Sequence, residues 1–308
     1  MPPTLLRKRQ FPPWGSDLAT VCPVPFSRRE NPLNRSRVSD CQDLAGRVAL
    51  VTGGGKGVGA SISRRLAGRG AHVILNYFHS SAAAEGTLMA IRAAGGSVRS
   101  VRASVAKPEQ VASMFEDIKE REGRLDILVN NAARGVLAPY GELTERDWEL
   151  AFATNVHGPR VCALRAVPML AESDEASIVN VSSIGAGMAM DNYMLVGVCK
   201  AALEGLTRYL AADLGPYGIR VNTASAGLLE NDTAKLFPEA QALRDTCTAA
   251  APLGRLGTEE ELAQLVVFLA SPQASWISGQ SYLADGGLSV GRAMLTPKAF
   301  VAPQGRGK

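Results

Sequence analysis

A tyrosine and a lysine stand seven residues apart in NYMLVGVCK, residues 192–200. A phenol can hand a proton to a developing oxyanion, and a lysine in an otherwise apolar stretch is a second group with a chemical use. Val196, four residues before Lys200, has no ionisable group, so proton donation from this stretch falls to Tyr193. At about 100° per helical residue, positions seven apart lie about 20° from a common face, against about 40° for positions four apart. Tyr193 and Lys200 can therefore look into one pocket if a single helix carries both. Cys199 beside the lysine reads as a small packing residue.

Elements of a particular kind must position such a pair. Short β-branched runs recur at VALV (48–51), HVILNY (72–77), SVRSVR (97–102), DILVNN (126–131), SIVNV (177–181), IRVNTA (219–224) and SYLAD (281–285), with longer helical stretches between them. This alternation predicts βαβ units and a parallel sheet covered on both faces. The expected fold class is α/β, a single doubly wound domain with a seven-stranded parallel sheet. Ser183 lies just past the fifth run, at the strand ends where open α/β sheets bind ligands. It could hold a substrate carbonyl or serve only a loop hydrogen bond.

Directly after the first strand comes TGGGKGVGASISRRLAGRGA (52–71), with Gly53, Gly57 and Gly59 spaced as GxxxGxG ahead of a helix bearing Ile62, Leu66 and Ala67. Glycines there let the backbone approach a pyrophosphate, and a helix N-terminus offers free N–H groups. A dinucleotide cofactor is expected. At the end of the second strand, NYFHSS (76–81) has no Asp or Glu for a ribose 2′-hydroxyl, and Lys56 in the loop is placed to face a 2′-phosphate. Both features point to NADPH.

Composition narrows the class. Of 308 residues, 46% are hydrophobic and 20% charged, as in a globular protein, and no apolar run is long enough to span a bilayer. Five scattered cysteines without CxxC favour reduced thiols, and the three histidines lack ligand spacing, so no metal is expected. The net charge of +4 resides in the ends: residues 1–46 carry +3 and residues 292–308 carry +4, leaving −3 for the body. No basic folded face for nucleic acid is implied. Residues 1–46 hold seven of the 17 prolines and no periodicity. They read as a disordered extension, a transit segment or a start assigned too early; 47–291 is the expected domain, and 292–308 a flexible basic tail. A cytoplasmic location is expected.

Taken in order, TGxxxGxG (52–59), NNA (130–132), Asn155, VSS (181–183), the Tyr/Lys pair and DGG (285–287) resemble the short-chain dehydrogenase/reductases over roughly residues 44–291. The resemblance implies a Rossmann domain that forms a homotetramer or dimer through the long helices holding Asn155 and Lys200. It implies cofactor contacts at Gly53, Lys56, Gly57, Val58, Gly59, Asn76, Ser104, Val105, Asn131, Ala132, Lys200, Gly227 and Leu229. Asn131 and Ala132 would meet the adenosine half. By the same resemblance Lys200 binds the nicotinamide ribose and its charge lowers the phenol pKa, while Asn155 kinks its helix and holds a water near the lysine. The chain departs from the family at Ser104 (usually Asp or Asn), at Ala226-Gly227 (usually Pro-Gly) and at Asn231 (usually Thr).

Most of the family spaces tyrosine and lysine by four, thirteen residues after the serine, where this chain has Val196. The phenol here is shifted by three residues, about 4.5 Å along a helix. Reduction of a ketone needs a proton on the oxygen attached to the hydride-accepting carbon. Reduction of an enoyl thioester gathers charge on an oxygen several bonds away, which suits a displaced hydroxyl better. Tyr-x6-Lys, with NNAARGVLAP (130–139) and KLFPE (235–239), is similar to the enoyl-acyl-carrier-protein reductase III branch. The expected activity is NADPH-dependent reduction of 2-enoyl thioesters carried on acyl carrier protein or coenzyme A. The alternatives are a carbonyl reductase and a non-catalytic NADP-binding partner subunit. Residues 228–250 take the family's substrate-lid position, where Leu228, Leu229, Leu236 and Phe237 suit an acyl chain or plain packing.

Overall fold

The computed structural model describes residues 42–290, apart from Pro238 and the Thr233 side chain. The expected extension lies outside the described residues up to position 41, as does the expected basic tail. Residues 42–46 belong to the folded body instead. Leu44 is buried, its N–H donates to the Arg69 carbonyl, and Asp43 pairs with Arg69. The expected boundary at 47 therefore cuts through packed structure.

Seven strands form one sheet: β1 (Val48–Val51), β2 (His72–Tyr77), β3 (Ser97–Arg102), β4 (Ile127–Asn130), β5 (Ser177–Ser183), β6 (Arg220–Ala226) and β7 (Ser281–Ala284). Every pairing is parallel, in the order β3-β2-β1-β4-β5-β6-β7. Eight helices connect them: α1 (Gly57–Gly68), α2 (Ser81–Ala93), α3 (Pro108–Arg121), α4 (Glu145–Phe152), α5 (Gly158–Leu170), α6 (Met194–Leu214), α7 (Ala240–Ala250) and α8 (Glu259–Ala270). The fold is the doubly wound α/β domain with the seven-stranded parallel sheet that the alternation predicts.

The residues of the inner strands β1, β4 and β6 are buried without the polar alternation of a solvated sheet, because helices cover both faces. Ala49, Val51, Val73, Leu75, Ile127 and Val129 face one layer and meet Ile62 and Leu66 of α1, Leu88 of α2 and Val266 of α8. Leu50, Ile74 and Leu128, one residue out of phase, are equally buried under the other layer. Each such leucine or isoleucine contributes about 2 kcal/mol relative to solvent exposure. Strand order reverses between β1 and β4, and the crevice at such a reversal, beyond the carboxyl ends of the strands, is where ligands bind.

A buried polar chain fastens α6 to the sheet. Asn130 Nδ2 donates to Asn180 Oδ1, Asn180 Nδ2 to Thr207 Oγ1, and Thr207 and Thr223 share a hydroxyl–hydroxyl bond, each at 2.8 Å. It joins β4, β5, α6 and β6 and so fixes the helix that carries Lys200.

Candidate active site

The glycine loop lies at the end of β1, and its shape is set from β4. Thr52 Oγ1 accepts from the N–H groups of Asn131 and Ala132, while Asn131 Nδ2 donates to the Thr52 and Gly53 carbonyls. Gly53 has φ +63, a left-handed conformation that favours glycine. A Cβ on Gly59 would run into the Gly53 carbonyl oxygen and the Asn131 amide, so the loop closes onto the helix only without a side chain there. No side chain caps the start of α1, which leaves its first N–H groups for a ligand. This cradle fits a dinucleotide pyrophosphate. Gly57 and Val58 begin α1 beside it, and the side chain of Lys56, exposed at the N-cap, forms no ion pair or hydrogen bond among the described residues.

Several expected cofactor residues act through the backbone or through the shape of the loop. Asn76 is buried; its amide donates to the Ala103 carbonyl at 3.0 Å, and its oxygen faces the Gly53 N–H, so it ties β2 to β3 and to the loop. Val105 is buried against Gly158, and the Ser104 N–H donates to Gln110 Oε1. Gly227 gives its N–H to the Ala284 carbonyl and lies so close to Asp285 that a Cβ would not fit. Leu229 turns its side chain into the core against Gly257, which also removes it from any acyl pocket. The side chains of Asn76, Val105 and Leu229 are buried, so a cofactor contact at these positions falls to the backbone.

At the carboxyl ends of β5 and β6 the remaining set comes together. Ser183 is the last residue of β5 rather than a residue beyond it, and its Oγ accepts from the Tyr193 hydroxyl at 3.0 Å. Two residues earlier, the Val181 carbonyl accepts from Lys200 Nζ at 2.7 Å. Lys200 is inside α6, but Tyr193 is its N-cap, with φ −110 and ψ 1. The expectation of one helix carrying both is corrected in this respect. Asn192 takes a left-handed turn (φ 58), which asparagine tolerates better than most residues, and the helix starts only after it. The Tyr193 carbonyl still accepts from the Gly197 N–H, so the tyrosine keeps its place on the first turn. Val196, at the four-apart position, packs its methyl over Gly135.

Asn155 sits in a π-helical turn, Ala153–His157, between α4 and α5, as the expected kink requires. Its side chain is fully engaged: Oδ1 accepts from the Arg134 N–H at 3.1 Å and Nδ2 donates to the Arg134 carbonyl at 2.5 Å. Asn231 caps the turn Asp232–Leu236 through the Ala234 N–H.

Charge follows burial. Loss of solvent pushes the Lys200 ammonium down to about 8, and the nearby Cys199 and Glu204 offset this only in part. Burial likewise raises the Tyr193 phenol, with the Ser183 hydrogen bond pulling the other way. The net shift of the phenol is thus upward, set by burial, while the Lys200 ammonium donates to the Val181 carbonyl. Burial also raises the Cys199 thiol, in keeping with a packing residue.

Phe237 and Gly185 belong to the site although the motifs do not single them out as partners of the tyrosine. Phe237 stacks on the Tyr193 ring, with centroids 5.7 Å apart and planes 19° apart, and Gly185 lies along the Cδ1–Cε1 edge. Asn180 and Thr207 were equally silent in the sequence, since a buried amide in a strand looks like any other. No helix among the described residues is long and apolar enough to cross a membrane.

Comparison with known proteins bears on this arrangement. Residues 53–289 match the family model described as enoyl-(acyl carrier protein) reductase. The 1-cyclohexenylcarbonyl-CoA reductase of Streptomyces collinus is 34% identical over 249 residues, which cover 79% of this chain and 87% of that protein. Hydroxynaphthalene reductase arp2 of Aspergillus fumigatus is 35% identical over 250 residues, 78% of this chain and 91% of its own. Among solved structures, a short-chain dehydrogenase/reductase from Serratia marcescens superposes with a TM-score of 0.75 at 35% identity, covering 80% of this chain and 100% of that one. Likeness of this extent, running from the glycine loop to the turn after β7, shows that the chain is an oxidoreductase belonging to the short-chain dehydrogenase/reductase family.

Proposed function

We propose that this protein is an NADPH-dependent reductase of 2-enoyl thioesters, carried on coenzyme A or acyl carrier protein. The observation that carries the reading is the place of Tyr193: seven residues before Lys200, at the start of α6, hydrogen-bonded to Ser183, with Val196 in the four-apart position. The matched family model and the cyclohexenylcarbonyl-CoA reductase among the relatives support it. The exposed Lys56 and the lack of an acid at the end of β2 support NADPH over NADH.

The residues that would hold the dinucleotide are the loop from Gly53 to Gly59, Lys56 at a 2′-phosphate, Asn131 and Ala132 beside the adenosine half, and Lys200 at the nicotinamide ribose. Bound there, the cofactor supplies a hydride to the β-carbon of the substrate. Negative charge then gathers on the thioester oxygen. Tyr193 would donate its hydrogen bond, and finally its proton, toward that charge, and the enol so formed would yield the saturated thioester by moving a proton from its oxygen to the α-carbon through solvent. Ser183 shares the oxygen by turning its hydroxyl from acceptor to donor once the phenol is engaged. Lys200, which would hold the ribose hydroxyls, would also steady the phenolate that remains until solvent restores the proton.

A second reading, reduction of a ketone, is favoured by the direct Tyr193–Ser183 bond, because two hydroxyls aimed together could clasp one carbonyl oxygen. The hydroxynaphthalene reductase among the relatives supports this reading. In either case we take the protein to be a homo-oligomer. Met194, Val198 and Tyr209 of α6 and Leu164 of α5 are exposed apolar residues that a partner would cover.

The deciding experiment follows the loss of NADPH with crotonyl and acetoacetyl thioesters side by side. Turnover of the enoyl substrate upholds the proposal. Turnover of the keto substrate alone gives the site to ketone reduction.

A further inference from the structure

Tyr193 is the N-cap of α6 rather than a residue of its interior, so contacts from outside the helix place its ring. Three contacts do so. Asn192, in its left-handed turn, is held by the Ala138 N–H, which donates to its carbonyl at 3.1 Å. Gly185 lets the ring lie flat along the turn after β5, where any Cβ would overlap the ring carbons. Phe237 covers a face of the ring in a near-parallel stack. Such aromatic pairs stabilise by about 0.5–1.5 kcal/mol beyond the area they bury.

Phe237 comes from a different part of the chain, and a loosely anchored one. It follows the turn Asp232–Leu236 and precedes α7, a helix in which no residue is fully buried. Leu236 beside it is 70% exposed. The segment buries Ala234 and is otherwise held by the Asn231 cap and by ion pairs, Lys235 with Asp232 and Arg244 with Glu230, a kind of contact that stabilises little at the surface. The aromatic wall of the phenol is therefore carried by a segment with few buried side chains.

We propose that Phe237 is a positioning residue for Tyr193: its ring holds the phenol toward Ser183, so that settling of residues 231–250 over the cleft and assembly of the proton donor are one event. This rests on the reading of Tyr193 as the donor. It explains how a tyrosine displaced from the helix interior can be fixed at all, since the helix by itself fixes only its backbone. It also accounts for the upward shift of the phenol, because the stacked ring keeps water from it.

The test compares full-length wild type with Phe237→Ala, Phe237→Leu and Phe237→Trp, each also on a Tyr193→Phe background. Misplacement of a reacting group by about 1 Å can cost a hundredfold, so Phe237→Ala should lower kcat by roughly tenfold to a hundredfold. NADPH affinity should stay unchanged, and Phe237→Trp should recover most of kcat. Phenolate absorbance, taken as the difference between each variant and its Tyr193→Phe partner, reads the titration of this one phenol without turnover. Its midpoint should fall in Phe237→Ala and return in Phe237→Trp. An unchanged midpoint, or a rise in KM alone with kcat intact, would overturn the proposal and leave Phe237 as a substrate contact. Full activity in Tyr193→Phe by itself would instead remove Tyr193 as the donor, a separate failure that the same set of variants reveals.

Discussion

The Tyr193 hydroxyl donates to Ser183 Oγ across 3.0 Å, joining the first turn of α6 to the last residue of β5. The serine accepts, so the tyrosine holds its proton until a substrate oxygen takes the serine's place. Tyr193→Phe removes that proton and should lower kcat at least about a hundredfold, the lower range for general acid catalysis. Ser183→Ala removes only a helper and should cost roughly tenfold, as one hydrogen bond does. NADPH titration by fluorescence should find both variants binding as wild type, since neither residue belongs to the glycine loop.

Moving the phenol tests whether its displacement sets the chemistry. In Tyr193→Phe/Val196→Tyr the hydroxyl returns to the spacing common in the family, though over Gly135 rather than beside Gly185. We expect enoyl turnover to stay at the Tyr193→Phe level, while the ratio of keto to enoyl activity rises. Steady-state rates on the two thioesters measure this; recovery of enoyl turnover would show that the position of the phenol is immaterial.

Lys56 has an unpaired ammonium at the N-cap of α1. Lys56→Ala should weaken NADPH about tenfold, the worth of one charge-assisted contact, and leave NADH within twofold. Equal losses for both dinucleotides would take Lys56 away from the 2′-phosphate.

The pH dependence follows from Lys200, whose ammonium burial has pushed down to about 8. Tyr193 is raised, so it stays protonated throughout this range. The kcat/KM profile, which reports the free enzyme, should therefore fall as pH rises through about 8. Lys200→Arg keeps the charge and should lose that limb even if its rate is lower. Stability runs the opposite way. A lysine with a depressed folded pKa releases its proton before the unfolded chain does, so between about 8 and the ordinary lysine value the ligand-free protein gains stability with rising pH. Melting curves should show this gain diminished in Lys200→Met.

Thr207 joins Asn180 to Thr223 inside the protein. Thr207→Val keeps the shape but strands the Asn180 amide, at a cost of about 1–3 kcal/mol. Chemical denaturation should register that loss. Because the chain of bonds fixes α6, kcat should fall as well, with Tyr193 and Lys200 untouched.

The amino-acid sequence by itself determined the seven strands, their parallel arrangement and the place of the cofactor loop. Each of these rests on local information: β-branched runs of strand length, helical stretches between them, and glycines where a backbone must come close. It also marked Tyr193 and Lys200 by their spacing, and the family resemblance added Ser183 to them. Only the tertiary structure decided what surrounds them. Asn192 is left-handed, with its carbonyl accepting from the Ala138 N–H, and α6 begins after it, so Tyr193 is the N-cap rather than an interior helical residue. The side chains of Asn76, Val105 and Leu229 are buried, and burial depends on neighbours far away in the chain. The sign of the phenol's shift likewise came from desolvation outweighing the Ser183 hydrogen bond, a balance that a one-dimensional pattern does not contain. Phe237 meets Tyr193 across 44 positions of sequence, and only the folded chain brings the two rings together.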